Sequence, residues 1–192
     1  MKTVTYEEFL KLDPGWLYGE ERIKACFDRF EGKVSALDIL NLDNVSAEDR
    51  LWTVLREEFI PAPILHEFAC VCAEYALTLI DNPDPRSIKA IEVKRAWMRG
   101  EATDEALAAA RDAAYSAAYS ADRYADWAAR EAARATARAA ARATARATAR
   151  AAAWHASEAA WETASAGSRD AASDAAREAQ VAYLIMTLEE EK

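Results

Sequence analysis

Glycine, proline, cysteine and histidine are all scarce in this sequence of 192 residues. Glycine and proline occur five times each, and neither occurs between residues 104 and 166. Since these two residue types most often interrupt helices, their absence predicts long stretches of helix in that region. The three cysteines are an odd number and indicate no disulfide framework.

Residues that build catalytic or metal sites are also rare. The chain has two histidines, no glycine-rich phosphate loop and no Ser/His/Asp order, so we expect neither a catalytic residue nor a cofactor. His66, Cys70 and Cys72 resemble a metal motif, but on a helix Cys72 lies about 200° from Cys70. These three side chains would not converge on a metal ion without a fourth ligand from another part of the chain, so we expect reduced cysteines in the core and no metal.

Long apolar runs and an excess of basic residues are missing as well. No stretch of about eighteen apolar residues predicts a membrane span, and the N-terminal segment MKTVTYEEFLKLD has no apolar signal core. We therefore expect a cytoplasmic protein that does not bind a membrane. The net charge of −9 argues against nonspecific binding to nucleic acid, which requires a basic footprint.

The chain does contain many signals that start and stop helices. Thr5, Ser35, Ser46 and Thr103 each precede a segment that a side-chain oxygen at that position can cap. The proline-containing segments 61–63 and 82–85 end helices. Two short helices are predicted, one after Thr5 and one after Ser35, and longer helices are predicted over 20–30, 46–60, 64–80, 86–99 and 169–188. In the helix over 86–99 we expect Ile88, Ile91 and Trp97 to contact the core.

The tract from 104 to 166 could form one helix of about 90 Å. A compact domain of this size is only about 40 Å across, so the tract either projects as a rod or folds back. Residues 101–131 carry seven acids and three arginines, residues 132–157 five arginines and no acid, and residues 158–192 eight acids and three bases. An antiparallel arrangement places acids beside arginines and is favoured, with breaks expected at 120–122, around 155–157, or most strongly at 165–168.

These patterns predict an all-α protein, a multi-helix bundle with an alanine-rich antiparallel helical array. We expect a packed short-helix region over 1–100 and an alanine/arginine-rich helical region over 101–192, which could form one continuous domain.

Arginine recurs every fourth residue from Arg130 to Arg150. Each step advances a helix by about 40° beyond a full turn, so this ridge winds about halfway round its helix and is not a straight strip for a duplex. The favoured interpretation is that arginine solvates an alanine helix and pairs with acids of the same chain. The alternatives are a surface for an acidic protein and a pocket for phosphate groups, which guanidinium suits.

Two tryptophans follow the ridge, and Trp154, Glu158 and Trp161 share one helix face. The tryptophans could stack on a nucleic-acid base or pack in the hydrophobic core, and core packing is favoured. Core packing is also favoured for Tyr115, Tyr119 and Trp127. If the tract binds an anionic ligand, the candidate residues are Arg134, Arg138, Arg142, Arg146, Arg150, Trp154 and Trp161.

Several short motifs resemble a family of alanine-rich, all-helical immunity proteins found in bacterial polymorphic-toxin systems and in phages. They are ACFDRFEG at 25–32, DRLW at 49–52, HEFACVCAEYAL at 66–77 and NPDPRSIKAIE at 82–92, followed by the alanine tract and a short apolar terminal helix. The strict spacing of the arginines departs from this family. The resemblance implies a cytoplasmic protein that binds and neutralises a toxin, and it brings no functional residues with it.

Three functional hypotheses follow. The preferred one is a non-catalytic immunity-type inhibitor that occludes a toxin or defence effector, since an acidic inhibitor is attracted to a basic partner. The alternative is a phage counter-defence protein that sequesters a nucleotide or another anionic small ligand through Arg and Trp residues. A third is a scaffold whose alanine faces mediate a homodimer.

Overall fold

The structure, a computed structural model, describes residues 2–12, 20–120, 131, 134, 135, 138, 149–165 and 167–191. Within these ranges the chain is almost entirely helical, which confirms the predicted all-α class. The elements are β1 Thr3–Thr5, α1 Tyr6–Leu10, α2 Glu20–Arg29, β2 Lys33–Ser35, α3 Ala36–Leu40, α4 Ala47–Val54, α5 Ala62–Thr78, α6 Pro85–Met98, α7 Asp104–Tyr119, α8 Ala149–Thr163 and α9 Arg169–Glu190.

The chain divides into two compact units. Unit 1 comprises Met1–Ala62 and Val181–Lys192, and unit 2 comprises Pro63–Gln180. These limits differ from the expected regions 1–100 and 101–192, because α6 and α7 pack against each other on either side of Gly100. Gly100 adopts a positive φ of 75° and forms a turn inside unit 2.

In unit 1, two capping boxes connect a small sheet to the helices that follow it. Thr5 ends β1 and caps α1, and Ser35 ends β2 and caps α3. The two strands pair antiparallel with Val4 opposite Val34, and both valines are buried. The caps confirm the sequence prediction, but the sheet was not predicted. Each strand has only three residues, which is too short for an alternating apolar pattern to be recognised.

Phenylalanine rings fill much of the core of unit 1. Phe9 contacts Phe27 at a ring-centroid distance of 5.3 Å and Phe59 at 6.4 Å. The helix expected over 46–60 ends earlier, at Val54. A separate turn follows it, in which the amides of Phe59 and Ile60 both donate to the Arg56 carbonyl. Leu55 leaves helical geometry with φ −75° and ψ 60°, and the turn after it buries both side chains completely.

In unit 2, Trp97 connects three helices. Its ring lies 5.6 Å from the His66 ring of α5, and its Nε1 donates to Asp104 of α7 at 2.8 Å. The Nζ of Lys94, a completely buried side chain one turn earlier in α6, lies 4.2 Å from the same indole. Trp97 therefore packs among neighbouring helices, as the sequence predicts.

The Arg95 side chain also holds α5 and α6 together. The Arg95 guanidinium of α6 binds the Glu67 carboxylate at 2.6 Å and also binds Glu74.

Cys70 and Cys72 are free thiols buried in α5, as expected, and burial raises the pKa of Cys70 to about 12. Ile88 of α6 is 41% exposed, so its expected core position is wrong; Ile91 is buried as predicted.

Helices α8 and α9 form an antiparallel hairpin with a face of small residues. The break predicted at 165–168 separates them, whereas residues 155–157 lie inside α8 and are not a break. On α8 the buried residues are mostly alanines, and Gln180 of α9 donates to the Ala153 carbonyl at 3.1 Å. This contact places an α9 side chain directly on the α8 backbone. Whether the tract over 120–148 folds back lies outside the described residues.

None of the helices in the described part of the chain has both the length and the apolar character needed to cross a bilayer.

A leucine in the alanine face should destabilise the hairpin. Ala156 is completely buried on α8, so Ala156→Leu should lower the free energy of unfolding by about 1–3 kcal/mol through overpacking. Ala175 is exposed on α9, and Ala175→Leu should change that free energy by less than about 0.5 kcal/mol. Urea denaturation of both variants measures this difference, and equal effects would contradict close packing at Ala156.

Candidate protein-binding surface

The described arginines of the ridge lie close to acids of the same chain. Arg134 forms an ion pair with Glu131 three residues earlier, and Arg138 is near enough to Glu158 to help lower its pKa. Arg150 is half-buried on α8. Arg142 and Arg146 lie outside the described residues. Arg134 and Arg138 thus have acidic neighbours within the chain, in the way that the favoured interpretation of the ridge expects.

Trp154 is exposed to solvent instead of being packed in the core. Its side chain is 52% exposed, so the core position favoured from the sequence is wrong. The Arg177 guanidinium of α9 lies 5.7 Å from the centre of its ring, within cation–π range. Arg177 in turn pairs with Asp174 at 3.1 Å. The exposed indole is therefore supported on one side by an arginine that an aspartate holds.

An arginine also lies against the second tryptophan of α8. Arg169 lies 4.5 Å from the centre of the Trp161 ring, and Asp170 accepts a long hydrogen bond of 3.4 Å from the Trp161 Nε1. Trp161 is half-buried, more covered than Trp154. Because seven residues separate the two tryptophans on α8, they lie about 10 Å apart along the helix axis.

Acidic side chains line the exposed face of α9. Asp170, Asp174 and Glu178 follow each other at intervals of four residues, and all three are exposed. Over two such steps the position drifts by only about 80°, so the three carboxylates stay on one side of the helix. We call the group of these acids with the two tryptophans and Arg177 the hairpin surface; its residues are Trp154, Trp161, Asp170, Asp174, Arg177 and Glu178.

The composition of the hairpin surface suits recognition of a protein. Tryptophan and arginine are the residues most enriched among those that dominate binding energy at interfaces. A rim of carboxylates attracts a positively charged partner. The sequence spacing of the acids over 170–178 could have revealed this face, but the exposure of Trp154 could not be read from the sequence.

A second group of charges lies on α8, where Glu158 lies near Arg138 and Glu162 near Glu131. His155 Nδ1 and Glu158 Oε2 are 2.8 Å apart, and this contact, helped by Arg138, lowers the pKa of Glu158. Glu162 is only 9% exposed, and its Oε2 accepts no hydrogen bond from any described residue. Burial raises the pKa of Glu162; Arg169 opposes this effect, while Glu131 and Glu158 add to it.

Among the residues that the structure describes, no group of three or more His, Cys, Asp or Glu side chains could hold a metal ion.

Tyr115 and Tyr119 of α7 were also expected in the core, and both lie in the described part of the chain. Tyr119, at the end of α7, is 82% exposed, so its expected core position is wrong. Tyr115 is half-buried, and Trp127 lies outside the described residues. Alanine-rich helices therefore leave more than one aromatic ring at the surface.

Removing the buried charge of Glu162 should stabilise the protein near neutral pH. Folding raises the pKa of Glu162 above 4.5, so the folded chain binds this proton more tightly than the unfolded chain does. The protein therefore loses stability as the pH rises past 4.5. Glu162→Gln should raise the free energy of unfolding by on the order of 1 kcal/mol at neutral pH, with less effect below pH 4.5.

Glu158→Gln supplies the comparison of opposite sign. The lowered pKa of Glu158 stabilises the fold above 4.5, and this contribution is lost as the pH falls through the folded-state pKa. That variant should be less stable than the parent at neutral pH. Thermal denaturation at neutral pH and near pH 4 separates the two, and a lower melting temperature for Glu162→Gln at neutral pH would contradict the burial argument.

Comparison of the chain with protein-family models, curated proteins and solved structures finds no match. The resemblance to immunity proteins consequently remains a prediction based on the short sequence motifs.

Proposed function

We propose that this protein is a non-catalytic binding protein of the immunity type, which occludes a basic toxin or effector protein in the cytoplasm. The hairpin surface is the proposed contact. The observation that carries the proposal is the exposed indole of Trp154, supported by Arg177 and bordered by the exposed carboxylates of Asp174 and Glu178.

The geometry around Trp154 favours tight contact with a protein. An exposed indole gains apolar burial when a partner covers it, and tryptophan is prominent among residues that dominate interface energies. Arg177 lies against one part of the ring and is itself held by Asp174, so less side-chain freedom remains to be lost on binding. Trp154 is therefore suited to anchor the complex.

The charges favour a basic partner. The chain has a net charge of −9, and the exposed side of α9 adds a local row of acids beside the tryptophans. Opposite charges steer two proteins together and raise the association rate, more strongly at low ionic strength. A cationic toxin, such as one that acts on nucleic acid, fits this surface.

The contacts of the arginines bear on the alternative, sequestration of a nucleotide or another anionic ligand. Arg134 pairs with Glu131, Arg177 with Asp174, and Arg169 stacks on Trp161. A phosphate group would have to compete with these internal acids. The same contacts are compatible with a surface that presents acids and an indole to a protein.

Replacement of Trp154 should abolish protection against the toxin. The test is co-expression in bacteria with a panel of cationic nuclease toxins, read as growth and, for each rescued toxin, as the Kd of the purified pair. Trp154→Ala should weaken binding by about 2 kcal/mol or more, roughly thirtyfold. Tyr119→Ala is the matched control, because Tyr119 is an exposed aromatic residue of unit 2 outside the hairpin surface.

Two outcomes would overturn the proposal. One is that no toxin of the panel is neutralised, or that neutralisation is insensitive to Trp154→Ala. The other is a saturable rise in melting temperature with a nucleotide that Arg138→Ala abolishes, which would establish the anion-binding alternative instead.

Neutralising the acids of α9 should slow association with the same toxin. Asp174→Asn combined with Glu178→Gln should reduce the association rate about tenfold at low salt, with a much smaller change in the dissociation rate. Glu7→Gln, an exposed acid of α1 in unit 1, should have little effect. Stopped-flow measurements at two ionic strengths provide the rates; equal slowing by both variants would indicate a long-range charge effect without a local site.

A further inference from the structure

Unit 1 contains a cavity of about 380 Å³. Side chains from α1, α2, α3 and the following loop line it, and most of them are apolar. The walls include Phe9, Ile23, Phe27, Ile39 and Val45. Pockets that hold small molecules in proteins start at about 300 Å³ and are mostly apolar, so both the size and the lining suit a small ligand.

The cavity is partly open to solvent, so it is a pocket that a ligand can enter and not a packing defect of the interior. Apolar walls also give water few hydrogen-bond partners, so water fills such a space poorly. An apolar molecule would restore the missing van der Waals contacts.

Arg29 lines the cavity from α2 and adds a positive charge at its solvent-exposed side, where the guanidinium also lies 5.5 Å from the centre of the Phe30 ring. Burial raises the pKa of the Cys26 thiol, which Arg29 lowers and Asp38 raises further. Thr53 also lines the cavity, but its hydroxyl already donates to the Asp49 carbonyl at 2.8 Å. Among the described lining residues Arg29 is the one cation, and the Asn44 amide is a further group that can donate to an anion.

We propose that unit 1 binds a small apolar carboxylate, of the acyl or aryl acid class, with its apolar part against the cavity walls and its carboxylate paired with Arg29. This site lies wholly in unit 1 and does not depend on the hairpin surface of unit 2. The charge at Arg29 selects the acid over the corresponding alcohol or amine, since a guanidinium pairs with a carboxylate.

Calorimetric titration with octanoate, octanol and octylamine tests the proposal. Octanoate should bind saturably, octanol about tenfold or more weakly, and octylamine weakest of the three. Arg29→Gln should reduce octanoate affinity to the level of octanol. Lys24→Gln is the matched control, because Lys24 is an exposed cation on α2 that does not line the cavity.

Cys26 offers a second readout within the same chain. Monobromobimane should label Cys26, which is half-buried in the cavity wall, well before Cys70 and Cys72, which are buried. Saturating octanoate should slow labelling of Cys26 at least severalfold. Val45→Phe should fill the cavity and weaken octanoate and octanol alike, with circular dichroism used to verify folding of each variant.

Absence of saturable octanoate binding to the parent protein would overturn the proposal. So would octanoate binding that leaves the labelling rate of Cys26 unchanged, since the ligand would then lie elsewhere. Equal affinities for octanoate and octanol, or an unaltered octanoate affinity of Arg29→Gln, would overturn the role of the carboxylate. Failure of the toxin experiment on the hairpin surface would leave this site unaffected.

Discussion

The contacts between α8 and α9 are the interactions on which the hairpin surface depends. The side chain of Gln180 on α9 donates to the Ala153 carbonyl of α8 at 3.1 Å, and the same carbonyl accepts from Ser157 at 3.1 Å. The buried residues of α8 are mostly alanines, and the larger indoles of Trp154 and Trp161 lie outside that buried face, where arginines of α9 lie against them. Trp154 consequently stays 52% exposed.

The remainder of the molecule packs in a different manner. Around Trp97, large and charged side chains join α5, α6 and α7, with Arg95 bound to two glutamates of α5. In unit 1, phenylalanine rings form the core beside a small sheet, and the cavity lined by Phe9 and Phe27 remains among them.

The helix caps were read correctly from the sequence, whereas the exposure of several aromatic side chains was not. The caps at Thr5, Ser35 and Thr103 lie where the side-chain pattern predicts, because a cap depends on a few neighbouring residues. The exposure of Trp154 and Tyr119 was missed, because the spacing that places a residue on a helix face does not reveal what covers that face. The sheet between β1 and β2 was missed for a related reason, since its strands are distant in sequence and very short.

The sequence by itself determined the all-α class, the caps and the break between α8 and α9, because alanine content, capping oxygens and Gly167 act on the backbone locally. It also determined the negative net charge of the chain and the four-residue spacing of the arginines. Only the tertiary structure decided that Arg138 lies near Glu158, which tryptophan remains exposed and where a cavity lies. Those features depend on the distance between helix axes, which is set by all the side chains along a contact together and not by any short segment.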